Sequence, residues 1–171
     1  MTATAQFAPI SSLAAVHPDA KLGKNVTIGP FVTIYPGAEL GDNVSIEPGT
    51  VIYENVILGD NTHVGAQCIL GERLGGRKVD ASYVNPKLSI GANSVIRAGT
   101  IIYAGCSMGE GFQTGSRAII REESHFGKSC SFGALAQCDG QVKIGDNCRF
   151  HNNVFIATFT TIEDNVHFYP M

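Results

Sequence analysis

Five histidines and five cysteines are the side chains of this 171-residue chain best suited to proton transfer or nucleophilic attack. Imidazole is neutral and basic near physiological pH, which makes it the usual general base. His125 stands in IIREESHFGK, directly after Glu122 and Glu123, where a neighbouring carboxylate can orient the ring. His151 stands in RFHNNVF, beside Asn152 and Asn153. These two are the candidate bases; His63 and His167 rank below them, and His17 reads as a surface residue. The cysteines form no CxxC pair, and their odd number does not suggest a disulfide framework or a zinc site. No two histidines lie one 18-residue interval apart, so three imidazoles converging on a metal are not expected.

The rest of the chain must position those groups. Its size suits one domain with a real core. A net charge of −3, from 12 basic and 15 acidic residues, offers no basic surplus for a phosphate backbone, so nucleic acid is not an expected partner. No stretch approaches the ~18 consecutive apolar residues of a membrane span. The first twenty residues lack both a basic n-region and an apolar h-region, so a cytoplasmic location is expected. Charged residues make up only 16% while glycine reaches 20, a balance that favours turns and strands over helices laced with ion pairs.

The organising signal is an internal repeat of six residues. Every sixth residue from Val16 to Leu70 is aliphatic, including Ile28, Ile34, Leu40, Ile46, Ile52, Leu58 and Val64. The phase slips by two across 71–89, resumes at Ile90 and continues to Phe168, with Thr114 and Cys138 the only positions not large and apolar. Four residues after each aliphatic comes a second, usually small residue on the same side of an extended segment. Cys68, Cys106, Cys130 and Cys148 hold that small position and Cys138 a large one, so the cysteines read as core residues rather than nucleophiles. Three residues after each aliphatic, eight sites hold Asn and five hold Gly, residues that tolerate a left-handed backbone. Each hexad is therefore a short strand and a corner. Three hexads close a triangular coil of 18 residues, and about eight stacked coils make a prism ~40 Å tall at ~4.8 Å per rung.

The hexads LGKNVT, IGPFVT, LGDNVS, LGDNTH, IGANSV and IGDNCR resemble those of the hexapeptide-repeat acyltransferases over residues 16–168. The resemblance implies an all-β fold, a left-handed parallel β-helix, across a single domain at 1–171. Residues 1–15 would be a lead-in. Residues 71–89, with Gly-Gly and Asn-Pro, would be a loop ejected from a corner. The C-terminal end, His167–Met171, would stop partway through a hexad and leave an open strand edge.

Within that superfamily, FQTG (112–115), REE (121–123), HNN (151–153) and IEDN (162–165) resemble elements of the nucleotide-sugar N-acetyltransferases. Ser116 stands where many of those relatives carry His, and the tail that follows Pro in them is not found after Pro170. The resemblance implies an acetyl-CoA-dependent acetyltransferase acting on the amino or hydroxyl group of a nucleotide-linked sugar, with acetyl-CoA as co-substrate, no metal, and a homotrimeric assembly. With Ser116 in place of that His, the resemblance does not name the base, and His151 and His125 stay the candidates for it. Gln113, Arg121, Glu122 and Asn152 would hold substrate, Arg121 by a two-pronged contact with a diphosphate. Two alternatives share the fold: a non-catalytic scaffold or nucleotide-sugar-binding module, and an acyl-carrier-protein-dependent UDP-sugar acyltransferase. The second is suggested by LGE (70–72) at the start of the long loop, but the AHD-like element of that family is absent here.

Overall fold

A computed structural model describes residues 9–73 and 82–169. All regular structure in it is β. Twenty-four strands, most of two residues, form three eight-stranded sheets. All pairings between them are parallel. The first face starts at Ala15–Val16, the second at Lys21–Leu22 and the third at Thr27–Ile28. Together the faces make a triangular β-solenoid of about eight turns.

The register follows the hexads. Ile28 lies over Ile46, Ile34 over Ile52 and Leu40 over Leu58. Stacked residues are 18 apart, and 32 apart where the insertion intervenes, as for Asn61 and Asn93. The aliphatic and small positions point inward and form one continuous core, with Ile34, Ile52, Leu70, Ile102 and Ile120 all essentially inaccessible. From Phe112 downward the core becomes aromatic: Phe112, Phe126, Phe132 and Phe150 follow one another with ring centroids 5.1–5.8 Å apart.

Each corner expected from the repeat has one residue at positive φ, between 56° and 79°. Asparagine and glycine hold most of these sites, but Phe31, Gln67, Arg117, Glu123, Ser129, Leu135, Gln141 and Phe159 adopt the same conformation. The stacking of neighbouring coils fixes the corner and overrides the local preference of those eight residues. Where Asn does recur, its side chains form a ladder down one edge, Asn25 to Asn43 to Asn61 to Asn93, at 3.0–3.2 Å.

The small inward position has a polar function as well as a steric one. Thr50 donates to the Gly65 carbonyl (2.8 Å), and the thiols of Cys68, Cys106, Cys130 and Cys148 donate to Arg97, Arg121, Gly145 and Glu163 (3.1–3.2 Å). Each satisfies a carbonyl at a corner of the coil below. Burial, meanwhile, pushes the thiols of Cys68, Cys130 and Cys138 up to about 11 and that of Cys106 to about 12.

Two boundaries differ from the sequence expectation. The coil begins one hexad earlier, since Ile10 bridges Ile28 in parallel and Ile28 donates its amide to the Pro9 carbonyl. The ejected loop is narrower than 71–89, because Ile69–Glu72 and Leu88–Ile90 are both strands. Register with Ile101–Tyr103 and Val56–Leu58 holds these ends in the sheets. Residues 74–81 of that loop lie outside the described residues. Its roots are held firmly. Arg73 stands over Tyr53 and Tyr35 (5.0 and 5.7 Å to the ring centroids) and bonds Glu54. Buried Asn85 donates to the Gly71 carbonyl and accepts from the Tyr83 hydroxyl, both at 2.8 Å.

Candidate functional site

The six residues expected to bind or react fall into two groups on different parts of the prism. Gln113 is exposed on the third face, between Val95 and Ser131 in the ladder. His151 follows the strand Arg149–Phe150 on that same face, two coils below, about 10 Å along the axis at ~4.8 Å per rung. It is half-buried, and its ring lies 5.5 Å from that of Tyr169. Asn152 is next to it, but its side-chain oxygen accepts the Ala134 amide at 2.8 Å, a coil-to-coil tie at the corner between the third and first faces.

The second group lies at the corner between the first and second faces. Arg121 Nε and Nη2 donate to the two carboxylate oxygens of Glu122 at 2.9 and 2.8 Å, and its guanidinium stands 5.5 Å from the Tyr103 ring centroid. Beside it is a polar hollow of about 260 Å³ lined by Arg121, Glu122, Asp139, Gly140, Gln141 and Thr158. Two residues past Glu123, His125 projects from the second face, exposed, with Nδ1 2.8 Å from the Ser107 hydroxyl and Lys143 below it in the ladder. When Nδ1 carries the proton and donates to Ser107, Nε2 presents its lone pair outward, the state a general base needs.

A third constellation escaped the sequence reading. Ser45 Oγ is 2.7 Å from His63 Nδ1, and His63 Nε2 is 3.2 Å from Glu47 Oε1. The other Glu47 oxygen accepts the Ala66 amide at 3.1 Å. The signal was available: Ser45 and His63 are one coil apart, as are Ser107 and His125. Glu47 comes within reach because it lies on the same side of the strand as Ser45, two residues on.

For anionic groups, the side chains of Arg97, Arg117 and Arg149 form no ion pair or hydrogen bond among the described residues. Arg117 borders a hollow of about 450 Å³ floored by Ala98, Gly99, Ser116 and Ala134. No cluster of three or more metal-ligating side chains occurs among the described residues. No helix there is long and apolar enough to cross a membrane.

The bacterial transferase hexapeptide model matches residues 19–53 and 37–72, and the model for the hexapeptide repeat of succinyl-transferase matches 126–157. No curated protein matches the chain in sequence. Among solved structures, the chain is similar to the UDP-N-acetylglucosamine O-acyltransferase of Moraxella catarrhalis. Identity is 18%, coverage is 91% of this chain and 63% of that one, and the TM-score is 0.64. The UDP-N-acetylglucosamine acyltransferase of Campylobacter jejuni is 19% identical, with 88% and 68% covered and a TM-score of 0.56. The corresponding enzyme of Acinetobacter baumannii is 17% identical, with 95% and 72% covered and a TM-score of 0.52. The chain thus spans roughly two thirds of the length of such structures. With its hexads matched at both ends and its coil shared with these enzymes, the chain belongs to the hexapeptide-repeat superfamily and has the fold of its acyltransferases.

Proposed function

We propose that the chain is an acetyl-CoA-dependent acetyltransferase that modifies the amino or hydroxyl group of a nucleotide-linked sugar in the cytoplasm, with its site formed between two prisms of a homotrimer. The observation that carries this is the division of the polar groups. Gln113, His151 and Asn152 occupy one face and its corner. Arg121, Glu122 and His125 occupy a different edge. Flat-sided prisms packed about a threefold axis bring one edge of each against a face of the next. His125 is the base in this reading, because Ser107 holds its ring through Nδ1 and Nε2 has no hydrogen bond among the described residues. It takes the proton from the attacking amine or hydroxyl as the acyl carbon is reached, and Gln113 aligns the acceptor. Arg117, without an ion-pair partner among the described residues, would meet donor or nucleotide phosphate.

Replacing His125 by Ala then lowers kcat by ~10²–10⁴. Mixing the inactive Gln113→Ala and His125→Ala chains restores part of the activity, since some interfaces then pair two intact halves. A mixture with no more activity than its components places the site within one chain, and full activity of His125→Ala removes it as the base.

A second reading takes its support from the names of the similar solved structures: transfer of a longer acyl chain to UDP-N-acetylglucosamine. Competition between acetyl-CoA and an acyl-carrier-protein thioester separates the two.

A further inference from the structure

The hydroxyl of Ser45, the imidazole of His63 and the carboxylate of Glu47 form a continuous hydrogen-bonded series on the upper third face, where His63 stands two coils above Gln113 in the same ladder. Among the described residues it is the one place where a hydroxyl, an imidazole and a carboxylate are joined. With Nε2–H donating to Glu47, Nδ1 is left to accept the Ser45 proton. The Ala66 amide anchors the carboxylate from behind, so the acid is held as well as present.

What lies beside the series gives it a substrate. A depression of about 560 Å³ is lined by Pro9, Ser11, Ser12, Thr27, Glu47 and Pro48 among others; Ser45 and His63 adjoin it through Thr27 and Glu47 and are not themselves part of its lining. Its lining is mainly apolar, and Glu47 forms part of its rim. Thr27 is the ladder partner of Ser45, and its hydroxyl makes no hydrogen bond among the described residues. An apolar hollow with a few converging polar groups is the usual form of a small-molecule site. A serine joined to an imidazole that is oriented by an acid is the usual form of an activated nucleophile, whatever the fold around it.

We propose that Ser45 is the nucleophile of a second site that takes the acyl group of small, apolar carboxylic esters. Ser45 Oγ bonds to the carbonyl carbon while its proton passes to His63 Nδ1. Glu47, a positioning residue, accepts the Nε2–H of the imidazolium that forms. Thr27 supplies a hydroxyl donor for the oxyanion. Collapse breaks the bond to the leaving alcohol, which takes the proton back from His63. Water, deprotonated by the same imidazole, then attacks acyl-Ser45; the bond to Ser45 Oγ breaks, Oγ takes that proton back from His63, and the carboxylic acid is released.

The test uses the whole chain with p-nitrophenyl acetate and butyrate. The expected result is a burst of p-nitrophenolate equal to the protein present, and an acyl group on Ser45 found by mass spectrometry of the quenched reaction. Ser45→Ala removes burst and adduct, and His63→Gln slows acylation by about 100-fold or more. Glu47→Gln lowers kcat at unchanged KM, and Glu47→Asp recovers part of it; a carboxylate needed only for folding would instead change the melting temperature. These side chains are at the surface, so each variant is expected to melt with the parent chain. The proposal is overturned by an adduct on another residue, by the absence of any adduct, or by a Ser45→Ala chain that turns over the ester at the parent rate. Acetyl transfer from acetyl-CoA, read through the His125 variant, is scored separately and unaffected by either result.

Discussion

Arg121 meets Glu122 through two parallel hydrogen bonds, 2.9 and 2.8 Å long, so the pair that the sequence offered to a substrate is already joined to itself. Both side chains are partly exposed, and such a pair contributes ~0–1 kcal/mol to stability. Its value is in direction: Glu122 and the Tyr103 ring hold the guanidinium plane at the rim of a polar hollow. Arg121→Ala is expected to leave the melting temperature nearly unchanged and to raise KM for a nucleotide-sugar by about tenfold or more, as loss of a charged hydrogen bond does. Arg121→Lys is expected to recover little, because an ammonium lacks the two-pronged donor geometry. Wild-type KM in both variants would return the pair to a corner ion pair and nothing more.

Gly115, the last residue of FQTG, has no room for a side chain. A Cβ there would fall on the backbone of Ala134 in the next coil, and one at Gly133 on the backbone of His151. The motif glycine is therefore a stacking requirement between coils. Gly115→Ala is expected to destabilise by ~1–3 kcal/mol or more, since the neighbour in the way is backbone and cannot swing aside. Thermal unfolding reads this directly, at ~2–4 °C per kcal/mol for a chain of this size. A variant that melts with the parent would show that the coils have slack at this corner.

The fold was legible in the sequence because a β-solenoid writes its register into its period. Ile46 recurs one coil after Ile28, and nothing but the stack makes that spacing matter. Phe31 and Arg117 show the limit at residue level: neither favours positive φ, yet the phase of the repeat alone places both at corners. The loop ends were less legible, since the Gly-Gly and Asn-Pro of 71–89 read as breakers although Leu70 and Leu88 are buried in strands. The candidate site was legible only in part. Composition and motif point to Gln113 and His125 as candidates, but their placement on different faces depends on counting coils. The Ser45–His63 pair shows what such counting adds, since its spacing of 18 carried the signal that the sequence reading missed. The polar work of the small inward cysteines was hidden because a thiol reads as apolar until its acceptor carbonyl is seen.

Phe31 is a further case where the corner opposes the residue. It is 69% exposed and sits at φ 60°. A left-handed conformation costs a non-glycine residue ~1–2 kcal/mol, and asparagine is among the residues that tolerate it. Phe31→Asn is expected to raise the melting temperature by a few degrees in the isolated chain. A fall instead would show that the ring is covered by another chain in solution, which sedimentation of the two proteins would reveal as a change in assembly.

The buried thiols are expected to make the fold less stable at alkaline pH. Burial, the largest cause in each case, pushes Cys68, Cys130 and Cys138 up to about 11 and Cys106 to about 12, from an ordinary value of 9.0. Below pH 9 both folded and unfolded chains keep these thiols protonated, and they impose no pH dependence. Between pH 9 and about 11–12 the unfolded chain has lost the protons and the folded chain has not. The folded state binds more protons there, so stability falls as pH rises through that window. Urea unfolding at pH 8, 9, 10 and 11 is expected to show a flat midpoint up to 9 and a decline beyond it. Replacing Cys106 by Ala, which titrates in neither state, is expected to shallow the decline even while lowering stability at pH 8. Below that window, a thiol-specific disulfide reagent at pH 8 is expected to leave the native chain unlabelled and to label all five cysteines once urea unfolds it. Rapid labelling of the native chain, or a midpoint indifferent to pH up to 11, would show that the inner column admits water.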